Sequence, residues 1–257
     1  MKKIIMALLI CSFVMLAYND IPVGAIQKSS TEATNELLES TTKEDVEKIV
    51  DEELNLNKGS RDVLEENIKS EMKKSTAATR SLDSDDENII ANYSMSDIKR
   101  VFFIDSTMIS DYKKNKSFKS IISDKNKLCI PMETQGGEYG VINASEENQF
   151  KDIAWESLKK GKGGLFDNNQ VISEKIQDYF QKADEQVNEI IFANPVMYHS
   201  NLVYISTKKG NEYIIPYFSA IQEYSFKNGE IYEADEFIKQ LEQTVDEEAM
   251  TREGIYP

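Results

Sequence analysis

The chain has 257 residues and a formal net charge of −15, from 45 acidic and 30 basic side chains with a single histidine. Such an excess of carboxylates argues against nucleic acid as a partner, because binding a phosphate backbone depends on clustered cations and counterion release, and it disfavours anionic membrane surfaces for the same reason. Only two cysteines are present, and Cys11 falls in an apolar leader. Cys129 is thus left without a disulfide partner, and one cysteine with one histidine is too few for a zinc site. No cofactor or metal is expected.

Residues 1–25 read as a secretory signal peptide: Lys2 and Lys3, an uncharged apolar run from Ile4 to Ala17, and the small residues Val23, Gly24 and Ala25. The run is shorter than the roughly 20 residues a membrane span needs. Cleavage after Ala25 is expected, with no stable membrane span afterwards; an uncleaved N-terminal anchor is the alternative. Ile10 before Cys11 speaks against a lipoprotein. Of the 30 basic residues 26 are lysine, a bias of AT-rich genomes, so the expected source is a Gram-positive bacterium and the expected location extracellular or at the cell wall.

Residues 26–92 contain 17 acidic and 9 basic side chains and no aromatic residue. That composition buries little apolar surface, so it predicts an acidic stalk or linker, partly disordered or weakly helical. Two thin helical stripes lie within it, Val46, Ile49, Val50 and Leu54, then Val63, Leu64, Ile68 and Met72, with Ser60 as the expected cap of the second. The acidic run 81–88 fails as an EF-hand loop because Asn88 replaces the required glycine and Ser94 the terminal glutamate.

Residues 93–245 hold the tryptophan and nearly all of the tyrosines and are expected to form one globular α+β domain. The predicted architecture is an antiparallel sheet of short hairpin-connected strands packed with two to four helices. In chain order it has a strand at Val101–Ile104, short helices at Met108–Tyr112 and around Phe118–Ile122, and two strand-like runs about Gly136-Gly137. A helix capped by Ser145 and running through Phe150, Ile153, Trp155 and Leu158 is expected next. Gly161–Gly164 lacks the spacing of a phosphate loop. An amphipathic helix at 173–185 carries Ile176, Tyr179, Phe180 and Ala183. A strand at 189–193 follows, then a hairpin 202–218, a turn at Lys227-Asn228-Gly229 and a helix with Phe237, Ile238 and Leu241. Residues 246–257 read as an acidic, frayed tail.

The two hairpins overlay without a gap at an offset of 74, matching Leu128 with Leu202, Gly136 with Gly210, Glu138-Tyr139 with Glu212-Tyr213 and Ser145 with Ser219. The shared Gly-x-Glu-Tyr suggests a duplication. Each hairpin carries an Ile-Pro pair, at Pro131 and Pro216, and a proline belongs at a strand edge or end because it has no N–H to donate.

No catalytic constellation is legible. His199 lies in a connection, Cys129 in the apolar context Leu128-Cys129-Ile130, and no two carboxylates are singled out. The expected function is therefore a non-enzymatic extracellular binding or accessory domain for an exported protein, peptide or cell-wall component. Tyr198, Tyr204, Tyr213, Tyr217 and Tyr224 are its candidate interaction surface. The alternatives are an extracellular hydrolase using carboxylates or Cys129, and an inhibitory or pro-segment-like module acting on an exported enzyme. For the last, the helix and strands around the second hairpin resemble small secreted modules of the PepSY type, without a diagnostic motif.

Overall fold

The computed structural model describes residues 43–53, 56–79, 90–105, 107–134, 139–151, 153–158, 169–198, 200–218 and 224–247. The leader, the acidic run 81–88, Gly161–Gly164, His199 and residues 248–257 lie outside them. All the described residues belong to one compact unit, residues 41–257. Among them no helix is long and apolar enough to cross a membrane.

Two helices open the described chain, α1 (Lys43–Glu53) and α2 (Lys58–Thr79). Asn57, not Ser60, caps α2: its side-chain oxygen accepts from Ser60 N at 2.9 Å and its carbonyl from Arg61 N at 3.1 Å. Ser60 is already inside the first turn, where its own N–H needs the cap.

The strands follow as β1 (Ile90–Tyr93), β2 (Lys99–Ile104), β3 (Asn126–Thr134), β4 (Tyr139–Ala144), β5 (Ile153–Leu158), β6 (Val187–Pro195), β7 (Asn201–Thr207), β8 (Glu212–Tyr217) and β9 (Tyr232–Glu233). Helix α3 (Met108–Asn115) separates β2 from β3, α4 (Asn169–Ala183) precedes β6, and α5 (Ala234–Glu242) follows β9. All nine strands form one sheet in the order β5-β4-β3-β2-β6-β7-β8-β9, with β1 beside β3. The fold is α+β, and the sheet is mixed, not purely antiparallel, because β2 and β6 run parallel, Val101 beside Phe192 and Ile104 beside Pro195. A parallel join requires a long crossover, and the chain between β2 and β6 contains the rest of the first meander and α4.

The parallel pair divides the sheet into two antiparallel meanders, β2 to β5 and β6 to β9. Cys129 packs in the cluster under α4, with Ile176, Phe180, Phe192, Val203 and Ile205. Its neighbours Leu128 and Ile130 pack under α2, with Leu64, Ile68 and Ile142. Adjacent strand residues point to opposite faces, so α2 and α4 cover opposite faces of the sheet. The α2 side of the second meander is covered by α3 and α5, which bury Leu202, Tyr204 and Ile214 with Phe118 and Phe237.

This packing overturns the expectation of a stalk. Val46, Leu64 and Ile68 are fully buried, so both early helices are part of the core. Their apolar stripes are thin, yet each has a sheet to lie on, and helices of this kind are held mainly by tertiary packing.

The helix expected after Ser145 is also absent. Residues 145–150 form one turn in which Gln149 N donates to the Glu146 carbonyl and Phe150 N to that of Ser145. Gln149 and Phe150 then adopt left-handed φ of 57° and 59°, which stops a right-handed helix and turns the chain back as β5. Asn67 of α2 donates to the Phe150 carbonyl at 2.9 Å, tying down that bend.

The register corrects the proposed overlay of the hairpins. The β3/β4 ladder runs from Leu128↔Ala144 to Glu133↔Tyr139, and the β7/β8 ladder from Asn201↔Tyr217 to Ser206↔Glu212. An offset of 73 carries every pair of the first onto a pair of the second; 74 does not. At 73, Ile130 and Ile142 under α2 fall on Val203 and Ile215 under α4. At 74, Leu128, which faces α2, falls on Leu202, which faces away from α4. The repeated feature is the geometry of a hairpin beneath its own helix, and the matched Gly-x-Glu-Tyr letters are one residue out of step with it.

Both prolines sit where a ladder is interrupted. Pro131 of β3 lies between the stretch paired with β1 and the stretch paired with β2. Pro216 of β8 lies beyond the two residues paired with β9. Neither position calls for a donor on that side.

Candidate functional site

The structure withdraws most of the tyrosines from any contact surface. Tyr198, Tyr204 and Tyr213 are 5%, 2% and 4% exposed. Tyr217 is half-buried, with the Lys175 ammonium over its ring, and Tyr224 stacks on Phe226 at 4.8 Å and meets Phe218 edge-on. The cause is that the second meander is covered on both faces, so tyrosines on either side of its strands fill core.

Burying a phenol requires a partner for its hydroxyl, and here carboxylates supply it. Tyr204 Oη donates to Glu212 at 2.9 Å, Tyr213 to Glu185 at 3.2 Å, Tyr112 to Asp235 at 3.0 Å, and Tyr198 to Glu247. Burial first, and then the adjacent carboxylate, push Tyr204, Tyr112 and Tyr198 well above the usual phenol range, and Tyr213 up to about 12.

Two of these carboxylates also cap helices. Glu247 accepts from Ile109 N at 2.8 Å, Ser110 N at 3.1 Å and Ser110 Oγ at 2.8 Å, satisfying free donors at the start of α3. Glu212 does the same for the short turn after Ser117, accepting from Phe118 N at 2.7 Å, Lys119 N at 3.1 Å and Ser117 Oγ at 3.0 Å. Glu247 belongs to the stretch expected to fray, yet it is 7% exposed. No local pattern marks it, since its partners stand 137 or more residues earlier in α3 and 49 earlier at Tyr198. Glu212 is the glutamate of the Gly-x-Glu-Tyr motif, so its sequence signal existed but pointed to a turn.

Cys129 is 1% exposed on β3, and its thiol donates to Asn143 Oδ1 on β4 at 3.4 Å. It sits at mid-strand among Val101, Val141 and Phe192, away from any helix N-terminus that would stabilise a thiolate. Its imagined partner His199 is outside the described residues. Among the described residues no group of three or more histidine, cysteine, aspartate or glutamate side chains is placed to hold a metal. One surface hollow, on the outer face of α2, is lined by Asp62, Glu65, Glu66, Lys69, Ser70 and Lys73. These lie on one solvated helix face of mixed charge, with Lys69 paired to Glu65.

The feature best suited to recognition is backbone. The two edges of the sheet differ sharply: β9 has two paired residues and leads at once into α5, whereas β5 has six and pairs with β4 from Ala144↔Ile153 to Tyr139↔Leu158 without a register shift. Among the described residues nothing pairs with its outer side. Every second residue of β5 therefore directs its N–H and C=O away from the sheet. Comparison with protein families, with curated proteins and with solved structures finds no match to this chain.

Proposed function

We propose that this protein is an exported binding or accessory domain, secreted or wall-associated, that takes an extended polypeptide segment along β5. The reading is carried by the six-residue outer edge of β5, which offers a row of backbone donors and acceptors for strand addition. The charged start, apolar run and small-residue triplet of residues 1–25 support export. Burial of Cys129 counts against thiol catalysis. Photo-crosslinking in the producing cell tests the proposal, with the reactive side chain at Ala154 of β5 or, as a control, at Lys209 in the exposed β7/β8 turn. Protein adducts from position 154 and none from 209, on a chain recovered outside the membrane with Ile26 at its N-terminus, are expected. Equal labelling at both positions, or a membrane-bound chain retaining Met1, would overturn it.

A further inference from the structure

We infer that the strand added at β5 is β5 of a second copy of this chain, the two strands antiparallel about a two-fold axis at Trp155. The inference rests on the reading of β5 as a docking edge. Antiparallel self-pairing is isologous, so one strand supplies both sides of the contact. Edge strands that stay unpaired are guarded by lysine, proline, a bulge or shortness. β5, Ile-Ala-Trp-Glu-Ser-Leu, has no lysine or proline and is in unbroken register with β4.

The flanking charge selects a copy of the same strand running the other way. The approach to β5 carries Glu146, Glu147 and Asp152 against Lys151, with Glu146 and Glu147 exposed, and the sequence after Leu158 continues with Lys159, Lys160 and Lys162. When two copies pair antiparallel, the acidic approach of each lies beside the basic continuation of the other, twice over. A parallel arrangement would set like against like.

Backbone geometry narrows the register. Outward peptide groups come from alternate residues, so only residues of the same parity can exchange hydrogen bonds across the new edge, and the axis must fall on a residue. An axis at Glu156 would put that carboxylate opposite its own copy, which is unfavourable. An axis at Trp155 sets Glu156 opposite Ala154, and Ile153 opposite Ser157. The result is one sheet continuous through two copies, with β5 at its centre and the short β9 edges at its ends.

The test uses the full mature chain. Sedimentation equilibrium should find a dimer that loosens as salt rises, since the screening length falls from about 10 Å at 0.1 M to about 3 Å at 1 M. Under mild oxidation Trp155→Cys should cross-link to itself on the order of tenfold faster than Lys209→Cys, because pairing raises the local thiol concentration. Should Trp155→Cys fail to fold, Ala154→Cys mixed with Glu156→Cys reads the same register, the mixture cross-linking faster than either variant alone. A monomer by sedimentation with cross-linking no faster than Lys209→Cys overturns the inference. The photo-adduct at Ala154 separates the two readings: an adduct with the chain's own mass supports both, an adduct only with a different protein leaves the docking edge standing and removes self-pairing, and no adduct removes both.

Discussion

The two meanders share one hairpin geometry and differ in what covers them. In the second, β7 is buried without interruption from Leu202 to Ile205, because Val203 and Ile205 lie under α4 while Leu202 and Tyr204 lie under α3 and α5. In the first, one face is packed against α2. The other leaves Lys127, Pro131, Glu133 and Asn143 half-exposed and Tyr139 exposed, around the buried Cys129 and Val141. The same ladder is thus interior in one half and surface in the other. Helices arriving from elsewhere in the chain make the difference, and the half with the bare face also has the long open edge.

The sharpest way to break this comparison is to remove the cover of the second meander. Phe180 of α4 is fully buried against Tyr213 and Tyr179, so Phe180→Ala should cost about 3 to 5 kcal/mol in denaturant unfolding. A loss below about 1 kcal/mol, the level of many ordinary substitutions, would mean that α4 does not close this face.

A smaller effect is expected from the C-terminal carboxylate that holds α3. Glu247→Ala leaves two backbone N–H groups and the Tyr198 hydroxyl without their acceptor, which should cost about 1 to 3 kcal/mol. Truncation after Asp246 should destabilise by the same amount. Unchanged thermal unfolding in both variants would show that α3 stays in place without the tail.

Alkaline titration probes the buried tyrosines, which belong almost wholly to the covered half. Their folded-state pKa values lie above the ordinary value of 10, so the unfolded chain gives up these protons first. The stability they contribute is complete below pH 10 and declines as pH rises, through about 12 for Tyr213. Phenolate absorbance should therefore lag behind that of free tyrosine and rise together with loss of the fold. Full ionisation near pH 10 with the fold intact would contradict the Tyr–carboxylate pairs.

The smallest effect belongs to the solvated outer face of α2. Glu66→Gln, on an exposed turn of that helix, should change stability by no more than about 0.5 kcal/mol. A larger loss would mean that this face, too, is covered.

Much of the secondary structure was legible because it follows from local pattern. The stripes at Val46–Ile49 and Leu64–Met72 are helices, the alternation in Leu202–Ile205 divides its side chains between two cores, and Ile176 and Phe180 face the sheet. Segments read wrongly are those whose state is decided by distant partners. Ile153–Leu158 has the apolar spacing of a helix, yet it forms a strand because two left-handed residues precede it and β4 has an edge to fill. The tyrosines looked like contact area because amphipathic rings suit a surface as well as a core; only the helices on both faces exclude the first.

By itself the sequence determined the charge, the single thiol remaining after the leader, the apolar periods and the turn glycines such as Gly210, whose φ of 86° suits a residue without a side chain. These are local properties, fixed by composition and by bonds between near neighbours. The tertiary structure alone decided the parallel join of β2 to β6, the docking of α1 and α2, the capping of α3 by Glu247 and which strand was left at the open edge. Each depends on contacts between residues far apart in the chain, whose geometry no local window of side chains contains.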